Sequence, residues 1–154
     1  MDILDLGCGN RPEHWIPNSD GLDMGDFGQR YILNLEDIRQ WPIKDNSYDR
    51  VVANHILEHI RNPDAFINIL NEIHRITKHG GTFEGAAPHW TSPNYTRDPT
   101  HCRMISEFTF DGFLLNSSIH FNDYNISCTF MRRNIIVNSN KDVVWDLAIW
   151  KPND

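Results

Sequence analysis

Near the start of the chain, Asp5-Leu6-Gly7-Cys8-Gly9 joins an acid to two glycines one residue apart. Glycine reaches backbone conformations that side chains forbid, so such a turn lets a ligand come close to the main chain. Asp23 follows Gly9 by 14 residues, at the end of a second apolar run, where a carboxylate can accept both hydroxyls of a ribose. Asp5 is acidic where a positively charged amino or sulfonium group gains from it and a phosphate would be repelled. A dinucleotide fingerprint wants a third glycine, G-x-G-x-x-G, to seat a pyrophosphate, and Pro12 stands at that position. A lone Gly-x-Gly is as well explained by a plain tight turn; in combination, these residues describe a site for an aminoacyl nucleoside.

Two further clusters carry histidines. His55-Ile56-Leu57-Glu58-His59 spells H-x-x-E-H, an inverted zinc-protease motif that needs a long helix and a third ligand. Pro63 leaves room for barely two turns, so the expectation is no metal, with His55 bordering the cofactor or substrate and Glu58 and His59 capping or packing. The polar and aromatic stretch from Ala87-Pro88-His89-Trp90 to Asp98-Pro99-Thr100-His101-Cys102-Arg103 follows a strand at the edge where α/β proteins bind ligands. Substrate is expected there, and His89 and His101 are the candidates for a general base. The competing reading is a surface loop that Asp98 and His101 hold through backbone hydrogen bonds. A metal cluster of His89, His101 and Cys102 matches no standard ligand spacing.

Those residues must be carried by a framework, and short apolar runs alternating with helical patterns predict one: a parallel sheet with crossover helices. Strands are expected at Ile3–Leu6, Gly21–Met24, Tyr31–Leu35, Tyr48–Ala53 and Thr82–Ala87. The first crossover, from Asn10 or Arg11 to Ile16, has room for two helical turns at most. Phe66, Ile69, Leu70, Ile73 and Ile76 recur at three-and-four spacing and mark a helix over Pro63–Thr77, stopped by Lys78-His79-Gly80-Gly81 with a glycine free to cap it. A helix is expected over Ser106–Leu115, then a hairpin of Tyr124–Val137 and Val143–Trp150 around Asn138-Ser139-Asn140-Lys141. Trp145 and Trp150 read as sheet packing. The whole is one α/β domain over 1–154: a mostly parallel, Rossmann-like sheet of about seven strands, helices on both faces and a C-terminal antiparallel hairpin.

Ile3-Leu4-Asp5-Leu6-Gly7-Cys8-Gly9-Asn10 resembles the first motif of the class I S-adenosylmethionine-dependent methyltransferases. Asp45–Val52 with His55–His59 resembles their fourth-strand block, and Arg75-Ile76-Thr77-Lys78-His79-Gly80-Gly81 resembles their R-x-L-K-P-G-G block, so the likeness runs from Ile3 to Pro88. It implies S-adenosylmethionine as cofactor, with Gly7 and Gly9 on its methionyl part, Asp5 near its amino group and Asp23 on its ribose. Asn34 and Leu35 fall beside adenine, Asn34 standing where the family often has Asp. The implied set is completed by Cys8, Met24, Asn54 and His55. His79 replaces a customary proline, and the chain starts on its first strand without the family's usual preceding helix, so part of a lid is expected to be absent or supplied by a partner.

The resemblance implies methyl transfer to a small-molecule or glycan acceptor, the glycan resting on analogy through the Asp98-Pro99-Thr100-His101 segment. A formal charge of −7 and a pI near 5.5 argue against tracking a phosphate backbone, so no nucleic acid is expected. No apolar run approaches the ~20 residues that cross a bilayer, and the amino terminus reads as neither signal nor transit peptide. Three widely separated cysteines, Cys8, Cys102 and Cys128, suit a reducing compartment; a cytoplasmic home is expected. Two other function classes remain: a non-catalytic methyltransferase-like partner or scaffold subunit, and a nicotinamide oxidoreductase, which the missing third glycine disfavours. A homo-oligomer or partner subunit is left open.

Overall fold

A computed structural model describes residues 1–119 and 124–152. Its elements are β1 (Ile3–Leu6), β2 (Asp20–Asp23), β3 (Tyr31–Ile32), β4 (Tyr48–Asn54), α1 (Pro63–Ile76), β5 (Thr77–Pro88), α2 (Pro93–Arg97), β6 (Phe130–Val137) and β7 (Asp142–Ile149). They form one seven-stranded sheet in the order β3-β2-β1-β4-β5-β7-β6. β3, β2, β1, β4 and β5 run parallel, while β7 pairs antiparallel with both β5 and β6. The expected α/β class, mostly parallel sheet and closing hairpin are all present.

Strand composition explains the order of burial. Leu4, Leu6, Val51 and Ala53 are fully buried in the two central strands, as expected of parallel strands covered on both faces. Opposite them α1 turns Phe66, Ile69, Leu70, Ile73 and Ile76 into the core. Its start is fixed by Asn62, whose side chain accepts from Asp64 N at 2.9 Å, and by Pro63, whose missing N–H is no loss at a first helical position. Trp145, the largest fully buried side chain, packs on Phe83 and Phe110 with ring centroids 5.8 and 5.1 Å apart.

Regular helix is sparse among the described residues. The first crossover is a single 3-10 turn, Pro12–His14. The helix expected over Ser106–Leu115 is instead a run of turns ending in the 3-10 turn Asp111–Phe113. Thr109 Oγ1 takes the Ser106 N–H at 2.8 Å, a side-chain bond that competes with helical pairing. The third strand stops at Ile32, because Asn34 opens a turn, accepting Glu36 N on its side chain and Asp37 N on its carbonyl. β6 begins at Phe130 rather than Tyr124, since Asn71 of α1 bonds the backbone of Asn125, Ser127 and Cys128 and draws that stretch to the helix. Gly80, at φ +73°, lies within β5 and does not cap α1; Thr77 does, extended, with its hydroxyl on Ile73 O at 2.6 Å.

Candidate functional site

β1 and β4 are parallel neighbours, Leu6 beside Ala53, yet their continuations leave toward opposite edges of the sheet, β1 to β2 and β4 to β5. The carboxyl ends of two such strands open a crevice, the usual ligand position in an open α/β sheet. Gly7 and Gly9 stand on one side of it with φ of +72° and +70°, and Asn54 and His55 end β4 on the other, His55 itself at φ +54°.

The glycine turn bends onto β2. Gly7 N and Cys8 N both donate to Leu22 O, at 2.8 and 3.3 Å, and Gly9 N donates to Asp23 Oδ2 at 2.9 Å. Gly25 N reaches the other Asp23 oxygen at 3.1 Å. A carboxylate offers about four acceptor positions, so two backbone bonds fix Asp23 and leave it capacity for a ligand. Trp15 closes the turn from behind, its indole N–H on Gly9 O at 3.0 Å. The expected helix after the turn is absent, and with it any helix dipole: the 3-10 turn starts on Pro12, which has no N–H to give. The turn itself and Asp23 do the positioning.

Asp5 is buried, and its Oδ2 accepts Ile16 N at 2.9 Å. Burial pushes its carboxyl above the usual range, and the bond to Ile16 N only partly opposes this. Burial and the Asp23 and Asp5 carboxylates together push the Cys8 thiol up to about 11; its sulfur packs against Gly21 rather than standing ready as a nucleophile.

A cavity of about 140 Å³ joins Gly7, Asp23, Met24, Asn34 and Leu35, five of the ten cofactor residues that the sequence singles out. Its wall adds Leu33, Glu36, Ile56, His59 and Ile60. The other five, Asp5, Cys8, Gly9, Asn54 and His55, lie at the strand ends around it. Glu36 accepts Arg61 N and Asn62 N, at 2.5 and 3.1 Å, and so ties the loop after β3 to the turn after β4. Sequence reasoning had no signal for this pairing of residues 25 and 26 positions apart. For His59 the signal existed, in H-x-x-E-H, but pointed to capping or packing.

The two candidate bases differ in their surroundings. His89 is engaged at both ring nitrogens: Nδ1 accepts Thr91 N at 3.2 Å, and Nε2 lies 3.2 Å from Glu107. His101 Nδ1 donates to Tyr95 O at 3.0 Å, which leaves Nε2 without a hydrogen bond. That nitrogen faces Asp98, 3.7 Å away, and the fully buried Glu58, 3.9 Å away. The loop reading of Asp98 holds as geometry too, its Oδ1 taking Thr100 N and Oγ1 at 2.8 and 2.6 Å.

Residues 24–84 match the family model of a methyltransferase domain. No curated protein matches the chain. Among solved structures, a SAM-dependent methyltransferase from Aquifex aeolicus superposes with TM-score 0.63 at 13% identity, over 97% of this chain and 82% of that one. A chain from the complex between the Haloferax volcanii Trm112 methyltransferase activator and its methyltransferase gives TM-score 0.60 at 15% identity, over 96% and 81%. A SAM-dependent methyltransferase from Archaeoglobus fulgidus gives 0.52 at 22% identity, over 68% of this chain and 54% of that one, so the match spans about half of the archaeal protein. At these identities the likeness is one of fold.

Proposed function

We propose that this chain, which has the fold of the class I S-adenosylmethionine-dependent methyltransferases and matches a methyltransferase domain over residues 24–84, binds S-adenosylmethionine at the ends of β1 and β2 and transfers its methyl group to a small-molecule or glycan acceptor. The observation that carries this reading is Asp23: a carboxylate held by Gly9 N and Gly25 N at the mouth of a cavity that runs on to Asn34.

The residues fit the cofactor. Asp23 keeps acceptor positions for two ribose hydroxyls, and Leu33, Leu35, Ile56 and Ile60 offer apolar walls to a planar base. Asn34, whose side-chain oxygen already accepts Glu36 N, has its amide hydrogens for a ring nitrogen. The cavity is below the roughly 300 Å³ at which ligand sites begin, so it takes the nucleoside end, with the methionyl end along Gly7 and Gly9 and its amino group toward Asp5.

The cofactor supplies a methyl sulfonium already activated toward attack. What the chain must add is alignment of the nucleophile and exclusion of water. The loop from His89 to Arg103, docked on the turn after β4 through Cys102 N and Arg103 N to Glu58 O, borders the crevice on the acceptor side. For a hydroxyl acceptor, His101 Nε2 is the group we assign to its proton, with His89 the weaker candidate because both its nitrogens are engaged.

Calorimetry with S-adenosylhomocysteine tests the cofactor half. One ligand per chain is expected, weakened roughly tenfold to a hundredfold by Asp23→Asn, the range for losing hydrogen bonds to a charged group. No heat at millimolar ligand would instead favour the scaffold reading. His101→Ala should keep that affinity and lose turnover, while His89→Ala should keep both; unchanged turnover in His101→Ala removes the role given to its imidazole.

A further inference from the structure

Among the described residues, Glu58 is a buried carboxylate on the turn after β4. Its side chain is fully buried, yet neither carboxylate oxygen accepts a hydrogen bond. Burying a carboxylate is costly unless partners offset it, and His55 Nδ1, 3.4 Å from Oε1, supplies part of that offset. What surrounds it are imidazoles: His101 Nε2 at 3.9 Å and, from the exposed side, His55 Nδ1 at 3.4 Å. One ring nitrogen each of His59 and His101 and a Glu58 oxygen lie within 4.8 Å of one another.

The hydrogen bonds made by these rings locate their hydrogens. His101 Nδ1 must donate, because its partner, Tyr95 O, can only accept. The one hydroxyl hydrogen of Thr100 goes to Asp98 Oδ1 at 2.6 Å, so Thr100 Oγ1, 3.0 Å from His59 Nδ1, accepts from that ring. Each ring therefore donates from Nδ1, and His101 Nε2, 3.9 Å from Glu58, is the nitrogen left to hold an ion. A carbonyl behind one histidine and a hydroxyl–carboxylate chain behind the other is how proteins orient metal-bound imidazoles. The ring of Tyr95 stacks on His101 at 5.6 Å between centroids, and Arg103 pins the loop by Nε to Ile60 O at 3.0 Å.

We propose that Glu58, His59 and His101 form a binding site for one divalent transition-metal ion. Two imidazoles and a carboxylate suit Zn²⁺ and its first-row neighbours rather than Ca²⁺, and three protein ligands leave a position open for an oxygen from water or acceptor. Ligands on one Zn²⁺ stand roughly 3.3 Å apart for metal–nitrogen bonds of about 2.05 Å, so the three side chains close in by up to about 1.5 Å when the ion enters. His59 also lines the cofactor cavity, which puts the ion at the border of the nucleoside and acceptor sides. With the ion bound, His101 Nε2 holds a cation and cannot take a proton, so the base role given to it belongs to the metal-free protein, and the metal site does not rest on methyl transfer.

Titration of metal-stripped, untagged protein with Co²⁺, followed by visible d–d absorption, reads the site directly, and Zn²⁺ should displace the signal. One saturating equivalent is expected, with no near-ultraviolet thiolate-to-cobalt band, since no ligand is sulfur. Glu58→Gln and His101→Ala should each weaken Co²⁺ by a hundredfold or more, and Thr100→Val, which touches no ion, by roughly tenfold through the His59 ring. Should Glu58→Gln or His101→Ala fail to fold, the wild-type spectrum and Thr100→Val decide. No saturable Co²⁺ or Zn²⁺ binding by the wild type, a thiolate band, or binding unmoved by these variants would overturn the proposal. S-adenosylhomocysteine affinity, measured beside it without metal, reports on the cofactor reading separately.

Discussion

Asp5 and Asp23 are two carboxylates near one crevice with different occupations. Asp23 has two backbone N–H bonds and lines the cavity; Asp5 is buried and holds Ile16 N. Because burial raises the Asp5 carboxyl on folding, its ionisation works against the fold. The contribution is fully favourable below the ordinary carboxylate range and is lost as pH rises through the raised folded value. Asp5→Asn retains an oxygen for Ile16 N and removes the titration. In thermal melts without ligand, its Tm relative to wild type should therefore be more favourable at pH 7 than at pH 4; an equal difference at both would mean that the carboxyl is not perturbed. Gly7 is constrained in a different way: at φ +72° an added Cβ would stand 2.6 Å from Ile56 Cγ1. Gly7→Ala combines left-handed strain with that clash and should cost about 2 kcal/mol or more, whereas Gly9→Ala, with nothing within 4 Å, should cost only the strain. Urea denaturation of both variants separates the two terms.

At the scale of elements, the block that resembles R-x-L-K-P-G-G proves to be structural at its first residue. Arg75 bonds Glu72, Asp45, Ile43 O and Trp41 O, while Glu72 takes Trp41 N at 2.7 Å. One guanidinium thus fastens the segment before β4 to α1. Arg75→Ala leaves the buried Glu72 carboxylate without its cation and should destabilise by about 3 kcal/mol, with S-adenosylhomocysteine affinity retained in whatever fraction stays folded; chemical denaturation gives the first number and calorimetry the second. His79, in the customary proline position of that block, accepts Lys151 N at 3.1 Å and lies against Trp150, so it ties the end of the chain to β5.

The elements that were legible in the sequence are those whose signal is local. β1, β4 and α1 carry runs or periodic faces buried on the sheet, and each lies within a residue or so of where its pattern puts it. Ser106–Leu115 misled because Phe110 and Phe113 sit three apart, as on a helix, yet successive turns bury both equally well while Phe108 stays exposed. In the site, Gly7 and Asp23 were legible because each ends or follows a strand, whereas Asn34, expected within a strand, came only from the family resemblance. Glu36, Ile56 and Ile60 were not legible, since they reach the cavity through a 3-10 turn and a side-chain-to-backbone tie that no spacing encodes. His101 could be found as a histidine in a loop, but its companionship with Glu58 depends on how that loop docks.

For the molecule as a whole, the strand order decides where chemistry can occur. The reversal between β1 and β4 is the one place in the parallel part of the sheet where neighbouring crossovers diverge, and the glycine turn, Asp23 and the cavity gather there. A larger recess of about 520 Å³ lies between Gly112 and Thr129, but the described residues lining it include no carboxylate and no cationic side chain to hold a charged amino acid moiety. No helix among the described residues is long and apolar enough to cross a membrane. Backbone amide NMR of ¹⁵N-labelled protein titrated with S-adenosylhomocysteine tests the location most directly, because the glycine amides resolve well. Saturable shifts are expected at Gly7, Gly9, Gly25 and Asn34, with Gly112 unmoved. Shifts confined to the recess around Gly112, or none at millimolar ligand, would mean that the ends of β1 and β2 do not hold the cofactor.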